Sequence, residues 1–192
     1  MASKASVAVA PMWSAMIKPL TRQALCLAAA VIAADQASKW WIVERVMRPE
    51  GVEGTPFFSP YRIDVLPVFD LVMAWNRGVS FGVFNNGGQW NALLLSLLSV
   101  AVVTGLLVWL RKAESRLIGL CIGSIIGGAL GNVIDRVRWG AVADFLDVHV
   151  LGYHWPAFNV ADSAISIGAV LLVIESVFSS RSAAGKKQGH DQ

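Results

Sequence analysis

The twenty residues from Asn91 to Leu110 carry no charged side chain. An α-helix rises about 1.5 Å per residue, so a run of this length matches the roughly 30 Å hydrocarbon core of a bilayer. Lipid offers no partner for free backbone groups, so a stretch of this kind confines the chain to a helical membrane fold. Two further apolar runs, Leu117 to Val137 and Val160 to Phe178, follow it. A fourth, from about Gln23 to Val46, precedes it and is broken only by Asp35, Lys39, Glu44 and Arg45. Charged residues make up 15% of the 192 residues, against about 25% in soluble domains. The expected fold is therefore an all-α membrane protein, a four-transmembrane-helix bundle with spans near 23–46, 91–110, 117–137 and 160–178.

The first run admits two readings. Lys18 and Arg22 before Gln23 to Ala34, with small residues after it, have the form of a signal peptide. Trp40, Trp41, Ile42 and Val43 continue the apolar character past Lys39, which favours one spanning helix. Asp35 and Lys39 then stand four residues apart on one face and can pair. The third run carries Gly119, Gly123, Gly127 and Gly131 every four residues. Such a stripe lets helix backbones approach closely. Cys26 and Cys121 fall in apolar runs and read as buried, inert thiols.

Between the first two spans the chain leaves the membrane. Glu50, Gly51, Gly54, Pro56 and Pro60 are loop residues. The β-forming runs Arg62 to Val68, Phe69 to Trp75 and Val79 to Phe84 predict a small β-sheet over residues 62–84 on the membrane surface. Phe57, Phe58, Phe69, Trp75, Phe81 and Phe84 either give it an apolar underside or pack against helix ends. Arg138 to Asn159 is a second excursion, with Trp139, Tyr153, Trp155 and Pro156 suited to the interface. The domain reading is an N-terminal cytoplasmic segment 1–22, one transmembrane domain 23–179, and a disordered cytoplasmic tail 180–192.

The polar residues inside these apolar runs call for a use. An Asp or Arg at the centre of a spanning helix costs about 2.5–3.5 kcal/mol on insertion scales. Asn132, Asp135 and Arg136 close the third span, Asp144 lies just beyond it, and Asp162 opens the fourth. Two carboxylates brought together cannot both ionise, so one proton is retained between them and the pair can activate water. Three other chemistries compete. Asp144, Asp147, His149 and His154 lie close in sequence, but no HExxH spacing accompanies them. Ser80 and Ser163 lack a GxSxG elbow. A proton-coupled carrier could use Asp35, Asp135 and Asp162, but the chain shows no internal repeat. No metal and no cofactor are expected. The net charge of +3 gathers at the ends and in one loop, which speaks for membrane topology and against nucleic-acid binding.

Four motifs together resemble prolipoprotein signal peptidase (signal peptidase II), the bacterial membrane aspartyl peptidase family. They are Asp35-Gln-Ala-Ser-Lys39, Asn76-Arg-Gly78 with Phe81-Gly82, Gly131-Asn132-Val-Ile-Asp135-Arg136 with Val142, Asp144 and Phe145, and Phe158-Asn159-Val-Ala161-Asp162-Ser163. The resemblance runs from about Ala24 to Phe178. It implies cleavage of diacylglyceryl prolipoproteins just before the lipid-modified cysteine, with Asp144 and Asp162 as the catalytic dyad. It implies that Asn76, Asn132, Arg136, Asn159 and Ala161 bind substrate or support the dyad, and that Asp35, Lys39 and Asp135 are structural. It further implies membrane lipid as a partner, a monomer, and inhibition by globomycin-type cyclic peptides. Val79-Ser80 stands where many members carry two alanines, and the 48–60 loop is long.

Lys and Arg dominate the N-terminus, the Arg111 to Arg116 loop and the tail, whereas both excursions are balanced or acidic. Cytoplasmic loops carry the Lys and Arg excess. Both termini are therefore expected in the cytoplasm of a cell with an inner membrane, and Asn76, Arg136, Asp144 and Asp162 at the outer face. Reporter fusions at Gln192 and near Gly54 should report opposite sides; the same side for both would overturn this topology.

Overall fold

A computed structural model describes residues 18–48, 50, 51, 61–78 and 90–188, with side chains through Phe178. Four long helices appear in the expected order. Helix α1 covers Pro19–Trp41 and ends in a π-helical turn, Ile42–Val46. Helix α2 covers Trp90–Lys112, α3 Arg116–Trp139 and α4 Val160–Gln188. Among the described residues, α2, α3 and the Val160–Phe178 part of α4 are long and apolar enough to cross a membrane. Helix α1 has the length, at 23 residues, but carries Arg22, Asp35 and Lys39.

Several boundaries differ from expectation. Helix α1 begins at Pro19, where the fixed φ of proline suits a first helical position and its missing N–H costs nothing. Helix α4 runs ten residues past Phe178, so the tail expected to be disordered from residue 180 is helical as far as Gln188. Ala, Lys and Gln in that segment are good helix formers. Cys121 is buried, but Cys26 is exposed on the outer surface of α1 and not a core thiol.

Helix α3 is the centre of the bundle, and its glycines explain why. A Cβ on Gly119 or Gly123 would collide with Leu20 or with the Ala24 backbone of α1. On Gly127 it would lie 2.7 Å from the Ala28 carbonyl oxygen, and on Gly131 it would lie 2.6 Å from Asp35 Oδ2. The whole stripe therefore faces α1. Gly128 does the same toward the Ala161 backbone of α4. Ala24, Ala28, Val103, Leu110, Ile122 and Ile126 fill the core that α1, α2 and α3 share.

The sheet is built differently from the sequence expectation. Strands β1 (Arg62–Leu66) and β2 (Phe69–Asn76) lie in two of the expected β-runs and pair antiparallel. The next strand, β3 (Val142–Val150), comes from the second excursion and pairs antiparallel with β2; β4 (Tyr153–His154) follows. The sheet is therefore not confined to residues 62–84. The expected strand 79–84, with Phe57, Phe58, Phe81, Phe84, Val79, Ser80 and most of the 48–60 loop, lies outside the described residues. Met73, Ala143 and Phe145 pack the sheet onto Ile42, Val43 and Met47 at the end of α1. Trp75 meets the Trp139 ring edge-on at 5.5 Å, a contact with a helix end, one of the two placements left open for it. Gly140 caps α3 at φ 72° with its N–H on the Arg136 carbonyl. That left-handed conformation suits glycine and turns the chain directly from α3 into β3.

Gly127→Ala should lower the stability of the purified protein by about 1–3 kcal/mol through overpacking at the backbone contact. Gly105→Ala on α2, where a Cβ meets nothing within 4 Å, should leave stability unchanged or raise it, because alanine favours the helix. Thermal melting in detergent checks both; equal effects would mean that the stripe is not a packing face.

Candidate active site

Three elements bring the sequence-predicted polar residues to one place. A bulge in β2 between Leu71 and Ala74 shifts the register so that Ala74 stands opposite Asp144. Bulges re-aim side chains in this way. Asn76, two residues along the same face, then reaches Asp144 Oδ2 at 3.1 Å. Phe158 bridges to Leu146 of β3 through paired backbone hydrogen bonds, which lays the start of α4 beside Asp144.

Asn159 caps α4. Its Oδ1 accepts the Asp162 N–H at 2.9 Å, and Asp162 Oδ2 accepts the Asn159 N–H at 3.3 Å. This reciprocal pair is the logic of a capping box, with Asn and Asp in the two roles. With Oδ1 committed to the cap, Asn159 Nδ2 faces inward and donates to Asp144 Oδ1 at 2.7 Å. Asn132 is oriented by the same reasoning. Its Oδ1 accepts from Lys39 Nζ at 3.1 Å, so its Nδ2 donates to Asp162 Oδ1 at 2.8 Å. Both aspartates therefore have amide donors on both oxygens or backbone donors in their place, and both amides are held by a further partner.

Behind them lies a buried ionic cluster. Lys39 Nζ is 2.8 Å from Asp35 Oδ2 and 2.7 Å from Asp135 Oδ2, and all three side chains are fully buried. The Asp35–Lys39 pair read from the i, i+4 spacing is present, and Asp135 joins it from α3. Ala161 is buried as well, and its N–H donates to Asp35 Oδ1 at 2.9 Å. Arg136 donates at 3.5 Å to the carbonyls of Asn132 and Gly78. Among the described residues it bonds neither aspartate, although its charge acts on both through space.

Gln36 was not singled out by sequence reasoning. Its Nε2 lies 2.8 Å from Asp135 Oδ1, 3.1 Å from Asp35 Oδ2 and 3.2 Å from the Gly131 carbonyl. Nothing in helical spacing relates Gln36 to Asp135; the link exists only because the glycine stripe brings the helices together.

Asp144 is 2% exposed. Burial, and then the charge of Asp162, push its carboxyl up to about 8. Asp162 is less enclosed and lines an apolar groove of about 400 Å³ with Trp155, Pro156, Phe158, Ser166 and Ile167. A larger cavity of about 530 Å³ opens under the β2 bulge beside Arg62, Asp147 and His154, but neither Asp144 nor Asp162 lines it. The geometry therefore favours the smaller groove as the place where chemistry can occur.

The alternative metal set does not converge. Asp144 turns toward Asn76 and Asn159, whereas Asp147 bonds Arg62 at 2.9 Å and His154 at 2.8 Å. Arg62 also bonds Asp70, which lies 3.2 Å from His149. The Arg62 guanidinium thus bonds both Asp70 and Asp147, the carboxylates beside the two histidines.

Residues 27–178 match the family profile of signal peptidase (SPase) II. The chain is 43% identical over 159 residues to a lipoprotein signal peptidase of Methylorubrum extorquens (strain PA1), covering 81% of this chain and 86% of the relative. It is 48% identical over 119 residues to that of Methylobacterium radiotolerans, covering 62% and 68%. A bacterial membrane enzyme solved by the in meso method at 2.3 Å superposes with a TM-score of 0.68 at 25% identity, over 83% of this chain and 90% of that one. With the match spanning every helix and the polar network between them, this chain belongs to the signal peptidase II family.

Proposed function

We propose that the chain is an aspartyl endopeptidase of the bacterial inner membrane. It removes the signal peptide from diacylglyceryl-modified prolipoproteins by cutting just before the lipid-modified cysteine. Asp144 and Asp162 are its catalytic pair. The observation that carries this reading is the placement of two carboxylates, from β3 and α4, on one shared set of asparagine amides beside an apolar groove.

The division of labour follows from burial. Asp144 keeps the shared proton at neutral pH and hydrogen-bonds the scissile carbonyl oxygen. Ionised Asp162, facing the groove, takes a proton from water as the water oxygen attacks the carbonyl carbon. The tetrahedral intermediate collapses with cleavage of the C–N bond. The proton held by Asp162 passes to the departing amine, and Asp144 regains its own. No redox partner enters.

The apolar groove suits a signal helix, and a diacylglyceryl anchor partitions into the adjoining lipid. Asn76, Asn132 and Asn159 support the dyad, and Arg136 stands by to meet substrate carbonyls. The reading includes a monomer with cytoplasmic termini and an outer-face site. It also includes inhibition by globomycin-type cyclic peptides that occupy the groove.

Asp144→Asn and Asp162→Asn should each abolish cleavage in a gel-shift assay on a diacylated prolipoprotein, with the double variant adding little, because a dyad acts as a unit. Near-normal turnover by either single variant would overturn the assignment.

Activity should fall as pH rises past about 8, where Asp144 loses its proton. The stability effect has a definite sign. A free Asp ionises near 3.9, so between about pH 4 and pH 8 the folded state holds a proton that the unfolded chain has released. Stability from this group therefore falls as pH rises through that window. Asp144→Asn removes the dependence, so its melting temperature should gain on the parent between pH 5 and pH 8. A constant difference across that range would contradict the shifted carboxyl.

A further inference from the structure

Each dyad aspartate is preceded by an alanine whose backbone N–H is held by a buried carboxylate. Asp35 Oδ1 accepts from Ala161, next to Asp162, at 2.9 Å. Asp135 Oδ2 accepts from Ala143, next to Asp144, at 3.3 Å. The spacing between Asp35 and Asp135 is thereby transmitted to the spacing between the two catalytic groups.

Two side chains of α1 tie these carboxylates together. Lys39 contacts Oδ2 of both. Asp35 is held at both oxygens, by Lys39 on Oδ2 and the Ala161 N–H on Oδ1; at Asp135, Lys39 and the Ala143 N–H both meet Oδ2, which leaves that carboxylate free to pivot, because ammonium is a compact charge without planar direction. Gln36 removes that freedom. Its Nε2 reaches Asp35 Oδ2 and also the other oxygen of Asp135, Oδ1, while sharing the Gly131 carbonyl. With Lys39 and the Ala143 N–H on Oδ2 and Gln36 on Oδ1, the plane of the Asp135 carboxylate is set.

We infer that Gln36 is a positioning residue for the peptidase reaction: it fixes Asp35 and Asp135 so that Ala161–Asp162 and Ala143–Asp144 stay in register. It touches neither dyad aspartate by any described hydrogen bond. The inference rests on the proposed dyad. The charged groups that face this cluster are Asp35 and Lys39 from α1, Asp135 and Arg136 from α3, Asp144 from β3 and Asp162 from α4.

The test is Gln36→Met, which keeps the length of the side chain and deletes its N–H donors. Cleavage kinetics of the full-length enzyme on a diacylated prolipoprotein are measured across pH, with melting temperature alongside. The expected result is a kcat lower by about 10- to 100-fold per folded enzyme, since misplacement of about 1 Å can cost a factor of about 100. KM should be unchanged. The alkaline limb should also move, because the mutual repulsion that splits a carboxylate pair depends on its separation. Wild-type kcat and an unmoved limb would overturn the inference, as would a loss that only tracks the folded fraction. If Gln36→Met does not fold, Gln36→Asn decides on the same readouts: a partial kcat loss with a moved limb upholds the inference, and wild-type behaviour overturns it. Asp144→Asn in the same series separates the two ideas. Turnover by that variant defeats the dyad itself, whereas an inactive Asp144→Asn beside a wild-type-like Gln36→Met defeats only the role of Gln36.

Discussion

The Lys39 ammonium, fully buried between Asp35 and Asp135, is the interaction on which the rest of the molecule depends. Charges in a low-dielectric interior are costly unless paired and hydrogen-bonded. Here one cation faces two carboxyl groups, whose oxygens are also met by donors: the Gln36 amide and the backbone N–H groups of Ala161 and Ala143. Removing one partner from such a group typically costs about 3–5 kcal/mol, because the others are stranded. The cluster draws on α1, α3, α4 and β3 at once. In lipid, where apolar burial between helices supplies little driving force, this polar centre specifies how the helices meet.

Packing and electrostatics are linked through the glycine stripe. Aspartate is short, and Asp35 and Asp135 can share one ammonium only if α1 and α3 approach closely. Gly131 shows the dependence directly: a Cβ there would fall 2.6 Å from Asp35 Oδ2. The same approach lets Lys39 orient Asn132, and Asn132 orient Asp162. A chain of hydrogen bonds thus leads from a buried ion pair to Asp162, one of the two proposed catalytic carboxylates.

The surface sheet contributes the other half of the site. The β2 bulge sets Asn76 on Asp144, and the Phe158–Leu146 bridge delivers the α4 cap to the same carboxylate. The polar group of Arg62, Asp70, Asp147, His149 and His154 cross-links β1, β2, β3 and β4. Strand β3, which carries Asp144, is therefore held from both edges, and its burial pushes that carboxyl up.

Much of this was legible in the chain. Apolar runs of about twenty residues dictate helices because lipid leaves backbone groups no other partner. The four-residue glycine period dictated a close helix contact, and the cost of polar and charged groups in apolar runs drew attention to Asn132, Asp135, Arg136 and Asp162, with Asp144 just beyond the third span. The i, i+4 spacing alone paired Asp35 with Lys39. What only the tertiary structure decided involves partners distant in sequence. Strand β3 joins β2 across an intervening pair of helices, and sequence period cannot name a strand's neighbour. Gln36 reaches Asp135 across ninety-nine positions. The upward shift of the Asp144 carboxyl follows from burial and from the nearness of Asp162, and both arise only when β3 and α4 are laid side by side. Local pattern determines which elements form and which residues are too costly to be idle; which of them touch is set by helix approach and strand register, which no local pattern encodes.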